Sequence, residues 1–180
     1  MSLESPSGRF GEPASRELTA VGWVRGYVRG MSDSLWGDFA RAVVRVGLDD
    51  GAQILSPAMP GEVGLFPFDR PVHIITAYNQ RGHESTEATN LAQHTLLEQE
   101  LQEFHTIPTV GSGPDGTFPE PGFAILEIST GEALRVGKHF HQEAIYRWTA
   151  SALYVLGVFN PVEISLGWRL DTEDGSSSDA

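Results

Sequence analysis

From Val72 the chain reads Val-His-Ile-Ile-Thr-Ala-Tyr, a largely apolar stretch entered from Pro71 and followed by the polar turn Asn79 to Thr86. A run of this kind predicts a strand covered on both faces, with polar groups gathered where it ends. A helix follows as far as Phe104, capped by Ser85 or Thr86, and Glu87 in its first turn is favoured by the helix dipole. At about 100° per residue, Asn90, His94, Leu97, Leu101 and Phe104 share one arc of about 80°, the face expected to lie on the sheet. The first two members are polar and nearest the strand end. Asn90 and His94 are therefore expected to point toward Asn79 and the Arg81–His83 turn, which makes this junction the expected working surface.

Elsewhere the pattern alternates at strand spacing. Ala42 to Leu48 and Gln53 to Leu55 flank Asp49-Asp50-Gly51, a hairpin signal, and Pro57 and Pro60 close the second strand. Leu65, Phe66 and Phe68 are expected to fold back onto the core. Thr106 to Val110 predicts an edge or irregular strand because Pro108 cannot donate a hydrogen bond, and the twelve residues Gly111 to Gly122 read as a long loop. Phe123 to Ile128 is a further strand. Ser129 and Glu132 form a capping box for a helix whose Ala133, Val136, Gly137 and Phe140 share a face. Ala144–Trp148 and Ala152–Leu156 make another hairpin, and a last strand places Val162, Ile164, Leu166 and Trp168 on one side.

Residues 16–41 read as a frayed helix carrying Val21, Val24 and Val28, weakened by Gly22, Gly26 and Gly30, then a short helix capped by Ser32 or Asp33 and containing Leu35, Trp36 and Phe39. Residues 1–15, rich in Ser, Pro, Gly and Glu, and the acidic tail 171–180 are expected to be disordered. The order is a β-hairpin followed by β-α-β-β-α-β-β. It predicts a single compact α+β domain over residues 16–170, with a mixed or mostly antiparallel sheet, two main helices on one face, and a somewhat ferredoxin-like middle.

Composition narrows the function classes. A chain of 180 residues with 40% apolar content suits one core. A net charge of −12 with Lys138 as the single lysine argues against capture of nucleic acid, which needs cations aimed at phosphates. The absence of Cys removes disulfides, thiolate metal sites and cysteine nucleophiles, and suits a cytoplasmic protein. No apolar run is long enough for a membrane helix. His139 and His141 would point about 200° apart in a helix, so no metal site is expected. No cofactor is expected either, because Gly111-Ser112-Gly113-Pro114 lacks the Lys-Ser/Thr of a phosphate loop.

Several of these residues carry a resemblance. Ile74-Ile75-Thr76-Ala77-Tyr78-Asn79, then Ser85 and Asn90, Phe118 to Ala124, and the run from Ala133 through Phe140 to Tyr146 resemble a bacterial domain-of-unknown-function family, the one numbered thirty-two ninety-three. The likeness spans about residues 35–157 and implies a small cytosolic prokaryotic protein with a compact α+β domain. It implies no activity. This chain has Gln80 where the family pattern has Pro, and residues 1–34 and the strand after Phe159 look like additions.

The candidate site is Thr76, Asn79, Arg81, Asn90, His94, Glu120 and Gln142. Asn and Gln offer donor and acceptor together, Arg holds carboxylates or phosphates, and Glu120 between Pro119 and Pro121 has a restricted backbone. As a site, this set would bind a small polar or anionic ligand near the N-terminus of the long helix. As structure, the same groups would tie loop backbone together. The leading reading is a non-enzymatic binding or accessory domain for a small molecule or a protein partner. One alternative is a small hydrolase or transferase with Glu120 or His94 as general base. Another is a structural module, monomer or homodimer, pairing through Val162, Ile164, Leu166 and Trp168.

Overall fold

The computed structural model describes residues 35–173. The expected helix around Val21 to Val28, the caps at Ser32 and Asp33, and the N-terminal and most of the C-terminal tail lie outside these residues. Along the chain come α1 (Leu35–Phe39), β1 (Val43–Leu48), β2 (Gly51–Ala58), β3 (Val72–Thr76), a 3-10 turn (Gln80–Gly82) and α2 (Glu87–Glu100). They are followed by β4 (Thr106–Ser112), β5 (Glu120–Ile125), α3 (Thr130–His139), β6 (Ala144–Trp148), β7 (Leu153–Gly157) and β8 (Glu163–Thr172).

Helices and strands are mixed as expected, but the sheet is not open. It closes into an eight-stranded barrel in the order β1-β2-β8-β7-β6-β3-β5-β4, with every ladder antiparallel. Two long-range pairings make the closure: Val44 of β1 lies opposite Gly111 of β4, and Leu55 of β2 lies opposite Leu170 of β8. The ferredoxin-like expectation fails for this reason, since β1, β2 and β8 complete a wall where an open sheet would have ended.

The barrel explains the two-sided burial of β3. Side chains alternate across a strand. Val72 and Ile74 therefore join Val44, Val46, Leu55, Ala124, Trp148, Leu166 and Trp168 in one core, the barrel interior. Ile75 and Ala77 point outward into a second core with Phe123, Ile125 and Ile145, covered by Leu97 of α2 and Leu101 at its C-cap, and by Ala133 and Val136 of α3 and Phe140 at its C-cap. Both helices thus pack outside the barrel, through the faces their periodicity predicted. Each fully buried Leu or Ile stabilises the fold by about 1.5–3 kcal/mol.

Several local expectations change with closure. The β1–β2 turn is Asp49-Asp50, and Gly51 opens β2 at φ 120°, a conformation open to glycine. β2 continues through Pro57, which lies opposite Trp168. β4 is not an edge, since β1 and β5 flank it; Pro108 is tolerated because the β1 pairing covers only Thr109 to Ser112. The loop before β5 shortens to Gly113–Pro119, because Glu120 and Pro121 are already strand residues paired with Gly111 and Val110. Phe66 and Phe68 fold back as expected, whereas Leu65 is exposed. Ile164, Leu166 and Trp168 face the barrel interior, so that side of β8 is not available to a second copy. β8 also runs through Asp171 and Thr172, into the segment expected to be tail. No helix among the described residues is long and apolar enough to cross a membrane.

Candidate functional site

Where β3 ends, the chain turns through Asn79, whose backbone is left-handed at φ 48°, ψ 55°. Asparagine tolerates this conformation better than most residues. The turn aims its side chain across three segments. The Asn79 Oδ1 accepts from the backbone N–H of Ser85 at 3.1 Å and from Asn90 Nδ2 at 3.2 Å, while Asn79 N–H donates to Asn90 Oδ1 at 2.9 Å. Because a backbone N–H must donate, the orientation of the Asn79 amide is fixed, and its Nδ2 is left to donate to Glu120 Oε1 at 2.7 Å. Asn90 is buried in the first turn of α2. The turn after β3, the start of α2 and the start of β5 are therefore locked by two amides.

Glu120 faces inward, into a cavity of about 400 Å³ at the mouth of the barrel. Its walls are mostly apolar, from Phe39, Val44, Ile74, Phe118 and Ala144, with Thr76, Thr109, Gln142 and Tyr146 adding polar groups. The cavity exists because the strands carry small residues here. Gly122 cannot be enlarged: a Cβ would lie 2.5 Å from the Ile75 carbonyl oxygen. Thr76 donates to the Pro121 carbonyl at 2.8 Å and accepts from Tyr78 N–H at 3.0 Å. Gln142 donates to the Tyr78 carbonyl at 3.0 Å, and Tyr146 donates to the Phe39 carbonyl at 2.8 Å, which ties α1 over the mouth.

The electrostatics are one-sided. Burial raises the Glu120 pKa, and the Asn79 hydrogen bond offsets this in part. Burial also raises the Tyr146 hydroxyl, with the Glu120 charge adding to the effect. Arg41 at the rim is paired with Asp38. Among the described residues no cation forms an ion pair with Glu120, and no group of His, Asp and Glu is arranged to hold a metal ion.

Of the seven residues expected at the site, Thr76, Glu120 and Gln142 line the cavity, and Asn79 and Asn90 brace Glu120 from the rim. His94 and Arg81 lie elsewhere. The His94 ring stacks on Phe123 at 5.0 Å in the outer core, on the opposite side of the barrel wall from the cavity. The Arg81 guanidinium lies 3.9 Å over the Phe159 ring and 3.8 Å from Glu143. It does not line the cavity. General-base chemistry at this mouth would rest on Glu120 alone. The sequence did not single out Phe39, Arg41, Thr109, Phe118 and Tyr146 for the site; only closure of the barrel places them around one space.

Residues 75–145 match the family described as "Protein of unknown function (DUF3293)". The resemblance covers all seven expected site residues, and is narrower than the 35–157 anticipated, leaving out Phe39, Arg41 and Tyr146. No curated protein and no solved structure matches the chain.

Proposed function

We propose that this domain binds a small, largely apolar molecule in the mouth of the barrel, anchored by a hydrogen bond from the ligand to Glu120. The observation that carries this reading is an inward-facing carboxylate, positioned by Asn79 and Asn90, in a cavity of about 400 Å³ with mostly apolar walls. Ligand sites have this character: concave, apolar, with few convergent polar groups. Barrels of eight strands are just wide enough to hold one small ligand.

The test is an NMR titration of the full chain with benzyl alcohol, a probe with an apolar ring and one donor. Amide shifts are expected at Thr76, Gly122 and Gln142, and they should weaken in Ala144→Leu, which narrows the cavity. Shifts confined to other surfaces, or unchanged by Ala144→Leu, would refute the reading.

A further inference from the structure

Resting on the ligand-binding reading above, we infer that the molecule taken by the barrel mouth is an organic ammonium ion, its charged nitrogen at Glu120 and its carbon skeleton against Phe39, Phe118 and Tyr146. Four observations converge on this class.

The first is the state of Glu120. Its carboxylate accepts from Asn79 Nδ2 and has no ion-pair partner among the described residues, while the one arginine lining the cavity, Arg41, is engaged by Asp38. A partly buried carboxylate without a counter-charge is an unmatched charge, and a bound cation removes the mismatch. Burial pushes the Glu120 pKa up, with the Asn79 hydrogen bond opposing it.

The second is the wall. Three aromatic rings border the same space as the carboxylate, and aromatic faces attract cations through their quadrupoles. Phe118 projects from the Gly113–Pro119 loop with 76% of its surface exposed at φ 50°, so a ring unusually free of protein contacts stands at the entrance.

The third is the set of ions excluded. A hard metal cation takes six or more oxygen ligands, and among the described residues no group of His, Asp and Glu is arranged to hold one. An anion would stand beside Glu120 in a low-dielectric cavity, where like charges repel strongly. The fourth is the field of the whole chain: a net charge of −12 attracts cations and repels anions at the mouth.

The experiment compares three probes of one shape, benzylammonium, benzyl alcohol and benzoate, titrated into the full chain at neutral pH and followed at the Thr76, Gly122 and Gln142 amides. Benzylammonium should bind about tenfold tighter than benzyl alcohol, the difference between a charge-assisted and a neutral hydrogen bond, and benzoate should bind weakest. Glu120→Gln should bring the amine and the alcohol to within about twofold of each other. Alcohol binding equal to or tighter than amine binding would overturn the ammonium inference and leave the ligand-binding reading standing. Amine binding that survives Glu120→Gln undiminished would also overturn it, because the charge would then be met elsewhere on the acidic surface. Failure of all three probes at these amides would sink both readings.

Discussion

The β3–β6 pair has two very different ends. Where Val72 lies opposite Trp148, the interior is filled: Trp148 meets Trp168 at 5.3 Å and Phe66 at 5.4 Å, all edge to face, and Phe68 packs on Trp148 at 5.5 Å. Where Thr76 and Ala144 stand, the interior is a cavity with a carboxylate in it. The same alternation of inward and outward residues produces both ends, and only side-chain volume differs. β6 alone carries Ala144, Tyr146 and Trp148 inward, from open mouth to filled end. Stability is therefore concentrated at one end of the barrel and the capacity for binding at the other.

The largest test of this division is Trp148→Ala. Loss of a fully buried indole should cost about 3–5 kcal/mol in urea unfolding; a loss under about 1 kcal/mol would mean that the aromatic end is not what holds the barrel.

Next comes pH. On the outer face beside this end, His73 is buried, bonded through Nε2 to Thr130 Oγ1 at 3.0 Å, and its pKa is pushed down to about 4 by burial and then by the Arg147 charge. Between its ordinary value of about 6.5 and about 4 the unfolded chain binds the extra proton, so this stability is present above pH 6.5 and lost as pH falls to about 4. The loss should be on the order of 3 kcal/mol and smaller by that amount in His73→Gln, as read from urea unfolding across the range. Glu120 at the mouth has the opposite sign, because its raised pKa removes stability as pH rises through the carboxylate range.

The smallest effect is expected at the open end. Ala144→Leu should change stability by less than about 1.5 kcal/mol, because the added carbons enter existing space. A larger cost would show that the mouth is packed after all and would break the comparison.

Much of the outer layer was legible in the sequence. The unbroken run of β3 and the arc of Leu97 and Leu101 are local patterns, and local patterns report which faces are covered. The capping box of Ser129 and Glu132 was legible for the same reason, and both of its hydrogen bonds are formed. Closure was not legible. It depends on Val44 finding Gly111 and Leu55 finding Leu170, and no periodicity encodes a partner so distant in the chain. The site was half legible. Asn79, Asn90 and Glu120 were grouped correctly, but the arc that joined His94 to Asn90 did not register that one further helical turn carries the ring past the rim onto Phe123. Glu120 also reads as a loop residue, because prolines on both sides resemble a loop where a strand begins.

Closure also sets a timetable for folding. While the chain is being made, β2 has β1 beside it and nothing on its other side until β8 is complete, so one row of its amides and carbonyls waits for residues 163–172. An unpaired row of that kind is a template for association with another chain, and distant pairings form slowly. In the finished barrel no such row remains on β2. The risk that an exposed edge carries is thereby confined to the interval before residues 163–172 pair with β2.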